Sequence, residues 1–347
     1  VLAAAALCAT PGVARDQVQI TGSSTVLPYA QIVAETFGEN FDFPAPVVEG
    51  GGSGAGRQKL CQGLGPNTVD IANSSSRITQ RDLDTCAANG VAEVMEVRFG
   101  YDGIVFASDV DGPAFDFTPA DIYTALAARV NLDGRLVANP FTRYSQVNPD
   151  LPDREVLMFV PGTKHGTREV FDIEVIEAGC KQTGAHALFL AAAEAAAAQP
   201  ADDREAARKA RRACNQLRTD GRAVDIDGDY TETLARLEAN PDAVGVFGLS
   251  FYQNNTHRLR VATMSGVTPS AQTITSGAYP VARPLYFYVK LAHVGVIPGL
   301  HDFVAFFLSD EIAGPDGLLA EYGLIADPEL AVMQTRVRDR VPMGRLE

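Results

Sequence analysis

The sequence predicts an α/β fold of two lobes with mostly parallel sheets, and three observations carry that prediction. Short extended segments alternate with helical ones, and glycine- or hydroxyl-rich loops join them. The 347 residues exceed what one compact core usually takes. Two apolar strands, at 98–107 and 285–289, read as an outward crossing into a second lobe and a return from it.

Val18-Gln19-Ile20 alternates like a short strand and leads into the loop Gly22-Ser23-Ser24-Thr25. Pro28 suits a first helical position. Tyr29, Ile32, Val33 and Phe37 recur at helical spacing, and Gly38 is expected to stop that helix. Pro46-Val47-Val48-Glu49 reads as a second strand running into Gly50-Gly51-Gly52-Ser53-Gly54. A short helix is expected from Arg57, carrying Leu60 and Cys61. Val69-Asp70-Ile71-Ala72 is a third strand, followed by Ser74-Ser75-Ser76. Thr79-Gln80-Arg81-Asp82 has the form of a helix cap, and Thr118-Pro119-Ala120-Asp121-Ile122-Tyr123 opens a further helix.

Residues 139–153 are loop-like. A strand at 156–160 ends in Pro161-Gly162-Thr163-Lys164-His165-Gly166-Thr167, and the next helix sets Val170, Phe171 and Val175 on one face. Residues 191–218, alanine-rich and charged with Pro200 inside, read as two surface helices tied down by Cys214. Val244-Gly245-Val246-Phe247-Gly248 is a further strand. The helices beyond 289 complete the first lobe, and no internal repeat is evident.

Four loops therefore sit where an extended segment gives way to a helix: at Ser24-Thr25, at Ser53, at Ser75 and at His165-Gly166-Thr167-Arg168. A helix start leaves N–H groups unpaired and carries partial positive charge. Glycines and small hydroxyls let an anion approach closely. In α/β sheets such loops gather at the carboxyl ends of the strands. Arg168 at a helix start opposes the dipole and so points to an anion partner. Arg77 is a second cation, or a partner of Asp82 or Asp84.

The formal net charge of −14 argues against a nucleic-acid or anionic-membrane partner. An anion site in this chain must work through aimed dipoles and a few cations. Residues 1–15 read as the remnant of a secretory signal peptide, with Gly12-Val13-Ala14 before Arg15 as its cleavage site. Beyond Cys8, four cysteines remain in an exported chain, which suggests two disulfides. Proximity favours Cys61–Cys86 and Cys180–Cys214 among three pairings. Five scattered histidines and no zinc spacing predict no metal site and no cofactor. There is no G-x-S-x-G elbow, and a cage that binds its ground state uniformly does not accelerate chemistry. The expectation is a binder, not an enzyme. An exported phosphatase or an adhesin is the alternative.

The chain resembles the periplasmic phosphate-binding proteins of ABC phosphate-uptake systems. The resemblance rests on GSSTVLP (22–28), GGGSGAG (50–56), DIANSSSRI (70–78), HGTREVF (165–171), LEANPDAVGVFGLSFY (237–252) and YPVARPLYFYVK (279–290). It implies the two-lobed type II periplasmic binding-protein fold, a clamshell with two hinge crossovers. Lobe 1 would hold 16–104 and 283–347, and lobe 2 would hold 105–282. It also implies a periplasmic monomer that binds inorganic phosphate and delivers it to permease subunits in the inner membrane. Mapped onto this chain, the phosphate ligands are Ser24, Thr25, Val26, Ser53, Ser75, His165, Gly166, Thr167 and Arg168. Two positions depart from the family pattern. Ser75 stands where some members carry a proton-accepting aspartate, and Pro161 where some carry an arginine. Arg168 and Arg77 must then supply the cation. Asp102, Asp227 and Asp229 are the candidates to accept the phosphate proton. Phosphite, arsenate and sulfate remain alternative cargoes.

Overall fold

A computed structural model describes residues 15–65, 67–162, 166–196, 203–227 and 230–346. The leader remnant, apart from Arg15, lies outside the described residues, as do His165 and Asp229.

The first three strands are β1 (Gln19–Gly22), β2 (Val47–Gly50) and β3 (Ile71–Ser74). They pair in parallel in the order β2-β1-β3, with Gly22 opposite both Gly50 and Asn73. Each is followed by a helix: α1 (Leu27–Asn40), α2 (Ser53–Leu60) and α3 (Gln80–Ala88). The long β4 (Val94–Asp109) then leaves this sheet and enters the next. It pairs antiparallel first with β8 (Ala282–Lys290) and then, from Ile104 to Ala107, with β7 (Val244–Gly248). The second sheet is completed in parallel by β5 (Met158–Pro161) and β6 (Ala223–Ile226). The lobe sheets are thus parallel, and the crossing strands are antiparallel because one leaves the first lobe and the other returns to it.

Apolar packing divides the same way. One cluster gathers residues from Tyr101 through Val281, with Ile325. A second gathers residues from Val18 to Phe99 and from Leu285 to Val337. A third, around Cys61, Cys86 and Tyr288, backs the first sheet.

Local chemistry explains the element starts. Thr79 caps α3 and Asp82 returns the bond to the Thr79 N–H, the reciprocal box that satisfies two orphan donors. Thr118 and Asp121 do the same for α4 (Pro119–Leu126). Two expectations change. Gly38 does not stop α1, which runs on to Asn40; a Cβ there would lie 2.7 Å from the Ala45 Cβ, so the glycine serves close packing. Helix α2 starts at Ser53 rather than Arg57, because Gly52 at φ 88° turns the chain directly into it.

Disulfides join Cys61 to Cys86 and Cys180 to Cys214. The first ties the end of α2 to α3. The second ties α7 (Asp203–Cys214), which packs on α6 (Ala185–Ala195), to the helix that begins as α5 (Gly166–Val170). That helix continues through a π-helical stretch, Phe171–Glu177, a distortion frequent near functional sites. Among the described residues no helix is long and apolar enough to cross a membrane.

Candidate functional site

The parallel register of β1, β2 and β3 brings three of the glycine- and serine-rich loops to one end of the first sheet. Their backbones interlock: the Gly52 N–H donates to the Gly22 carbonyl at 2.8 Å, and the Ser23 N–H to the Asn73 carbonyl at 2.9 Å. Gly22, at φ 143°, permits this approach; a Cβ there would sit 2.1 Å from the Asn73 oxygen.

Within this end the hydroxyls divide into two groups. Ser53 and Ser75 meet across their loops at 3.1 Å, and the Ser75 N–H also donates to Ser53 Oγ at 3.1 Å. Ser23 Oγ accepts from the N–H groups of Thr25 and Val26, at 3.2 and 3.4 Å. Ser24 is exposed, whereas Thr25 is buried. The Thr25 hydroxyl faces the second lobe.

There it meets Glu169, in α5, which accepts its hydrogen bond. Arg283, on β8, donates from Nη2 to Thr25 Oγ1 at 2.6 Å and lies 3.6 Å from Glu169 Oε2. The Arg283 side chain is 7% exposed, and its Nε is buried with no hydrogen-bond partner among the described residues. Thr167 Oγ1, one residue before Arg168, is buried beside the Tyr230 phenol, whose pKa burial pushes up while Thr167 opposes the rise.

Asp102, on β4, completes the cluster. It is buried between the lobes within the fields of Arg283, Glu169, Tyr29 and Tyr230. Burial lifts its carboxyl to about 6, with Arg283 opposing and Glu169 reinforcing the rise. Burial also raises the Glu174 carboxyl, against the pull of Arg283. One guanidinium therefore serves three carboxylates.

The structure places Thr25 in the loop after β1, Ser53 at the start of α2, Ser75 in the loop after β3, and Gly166 and Thr167 at the start of α5; Thr25 reaches the lobe junction through Glu169 and Arg283. Arg168 is already engaged by other groups. Its guanidinium is held by Asp172 at 2.7 Å, by Asp225 at 2.6 Å and by the Pro161 carbonyl at 3.0 Å, all on its own side of the molecule. Arg77 pairs with Glu96 rather than with Asp82 or Asp84, and Asp82 is taken by Arg57. Asp225 faces Arg168, and among the described residues no contact brings Asp227 to the cluster.

Arg283 and Glu169 are the residues that sequence reasoning missed. A signal for the first was present: one arginine stands at the head of the otherwise apolar strand run 283–289. Nothing local marked Glu169, which reads as an ordinary first-turn acid.

The family model of the PBP superfamily domain matches residues 9–311. SphX of Synechococcus elongatus is 25% identical, over 94% of this chain and 82% of its own length. The phosphate-binding protein PstS of Staphylococcus haemolyticus is 24% identical, over 89% of this chain and 80% of its own. The crystal structure of "a possible phosphate binding protein" from Planctomyces limnophilus superposes with a TM-score of 0.67 at 24% identity, covering 94% of this chain and 98% of that one.

Proposed function

Because the chain belongs to the PBP superfamily, we propose that it captures inorganic phosphate between its lobes and delivers it to an ABC-type permease. Relatives that it matches along most of their length carry the name phosphate-binding protein PstS. The observation that carries the reading is Arg283: a buried guanidinium at the lobe junction, in contact with Thr25 and with an orphaned Nε–H. A buried donor without a partner costs about 1–3 kcal/mol, so it is held there for an acceptor. A tetrahedral oxyanion suits it, since an arginine fork grips such groups at two points.

In this reading Thr25 and the serines of the first sheet hold the anion from one lobe. Thr167 and the Gly166 N–H hold it from the other, and Arg283 replaces Arg168 as the cation. Asp102 supports phosphate over sulfate. A carboxylate can only accept hydrogen bonds, and at neutral pH phosphate keeps a proton to donate while sulfate does not. Such a cage stabilises a bound ground state, which favours a binder over an enzyme. The setting is that of an exported protein, with hinge motion about β4 and β8 gating release.

Calorimetry on the exported protein with phosphate at pH 6 and pH 8, and with sulfate as control, tests the proposal. Saturable phosphate heat without sulfate heat is expected. Sulfate binding in its place, or no anion binding at all, rejects it.

A further inference from the structure

We infer that Glu169 is an internal anion that competes with the cargo for Thr25 and Arg283, so that each capture exchanges one anion for another. The inference rests on phosphate entering at those two residues, as proposed above.

The contacts define the competition. Glu169 takes the Thr25 hydroxyl across 144 residues of sequence and stands 3.6 Å from Arg283 Nη2. These are the donors that an oxyanion at the lobe junction requires. A carboxylate presents two oxygens with the geometry of one edge of a phosphate.

The pair is not built like the permanent ion pairs of this molecule. Arg98 grips Asp327 with two bonds, at 2.6 and 3.0 Å, and Arg77 grips Glu96 through both Nε and Nη2. Arg283 meets Glu169 at one corner only and keeps its Nε unused. Exposure differs in the same sense. Thr25 is 1% exposed and the Arg283 side chain 7%, but the Glu169 side chain is 35% exposed. The carboxylate can return to water at low cost, while its two donors cannot follow it.

Charge favours the exchange. Arg283 already meets Glu169 and lies within the fields of Asp102 and Glu174. A phosphate dianion added to all three would crowd like charges around one cation. Departure of Glu169 removes one of them as the cargo arrives. The apparent affinity is then lowered by the fraction of molecules in which Glu169 holds the donors.

The test is phosphate calorimetry on wild type, Glu169→Ala and Glu169→Gln, with small-angle scattering of each protein in phosphate-free buffer. Both variants are expected to bind phosphate at least about tenfold more tightly, as when the donors are otherwise occupied nine-tenths of the time. Glu169→Ala is also expected to show a larger radius of gyration that phosphate returns to the wild-type value, since the Thr25–Glu169 link between the lobes is gone. Glu169→Gln keeps the side-chain shape and so reports the charge if the alanine variant folds poorly. Phosphate affinity unchanged or weakened in both variants overturns the inference while the functional reading stands. A wild-type protein that takes up no phosphate removes the functional reading and this inference with it.

Discussion

Two buried charge clusters lie at opposite ends of the first sheet, and their carboxylates are held differently. At the end where β1 and β3 begin, Asp70 is fully buried and fully used. It accepts from the Gln19 N–H at 2.7 Å, from His293 Nδ1 at 2.6 Å and from Arg15. Lys290 beside it donates to the Gly63 carbonyl at 2.6 Å and to Thr68 Oγ1 at 2.9 Å, and burial pushes its ammonium down to about 8. Toward the other end, Asp102 is buried within the fields of Arg283, Glu169 and two tyrosines, and burial lifts its carboxyl to about 6. A buried carboxylate that is fully hydrogen-bonded fixes a fold, whereas one strongly perturbed by burial marks a candidate site.

Four substitutions would break or sharpen this contrast. The largest effect is expected at the satisfied cluster. Asp70→Ala leaves Arg15 and His293 without their shared acceptor and should cost about 3–5 kcal/mol in urea unfolding. The phosphate affinity of the folded fraction should stay within about threefold of wild type, in keeping with this structural role. A lost affinity with intact stability would make the Asp70 cluster part of the site.

Asp102→Asn comes next. The folded carboxyl stands at about 6 against an ordinary 3.8, so the ionised form is the costly one. The penalty is absent below pH 4, grows through pH 6 and is complete above pH 7. The variant should therefore gain up to about 3 kcal/mol at pH 8 and nothing at pH 4, read from melting temperatures at both pH values. Equal shifts at the two pH values would mean that Asp102 does not titrate in this range.

Arg283→Met should weaken phosphate binding at least about 100-fold, or about 2.7 kcal/mol. Its unliganded melting temperature should move by only a few degrees. A large loss of stability with normal binding would place Arg283 among the structural pairs. Arg168→Ala is expected to have the smallest effect, under about threefold on affinity, because Asp172 and Asp225 already occupy its guanidinium. A tenfold loss would restore it to the site.

Much of the fold could be read from the chain because its causes are local. The Thr79–Asp82 and Thr118–Asp121 caps span four residues each. The strand-loop-helix rhythm placed the loops at the sheet end, and short sequence separations favoured the two disulfides that the structure contains. Errors arose where two distant segments decide one residue. Gly38 answers to Ala45 rather than to the helix end, and Arg77 finds Glu96 rather than the nearer acids of α3.

By itself the sequence determined the loop chemistry, the two-lobed α/β architecture and the expectation of an anion held by few cations. These follow from residue type and periodicity, which act over a turn of helix or a few strand positions. Only the tertiary structure decided which arginine faces the junction. Thr25, Glu169 and Arg283 come from three separate parts of the chain, and Arg168 was drawn off by carboxylates on its own lobe. Long-range charge pairing depends on which groups packing brings within a few ångströms, and spacing along a chain does not encode that distance.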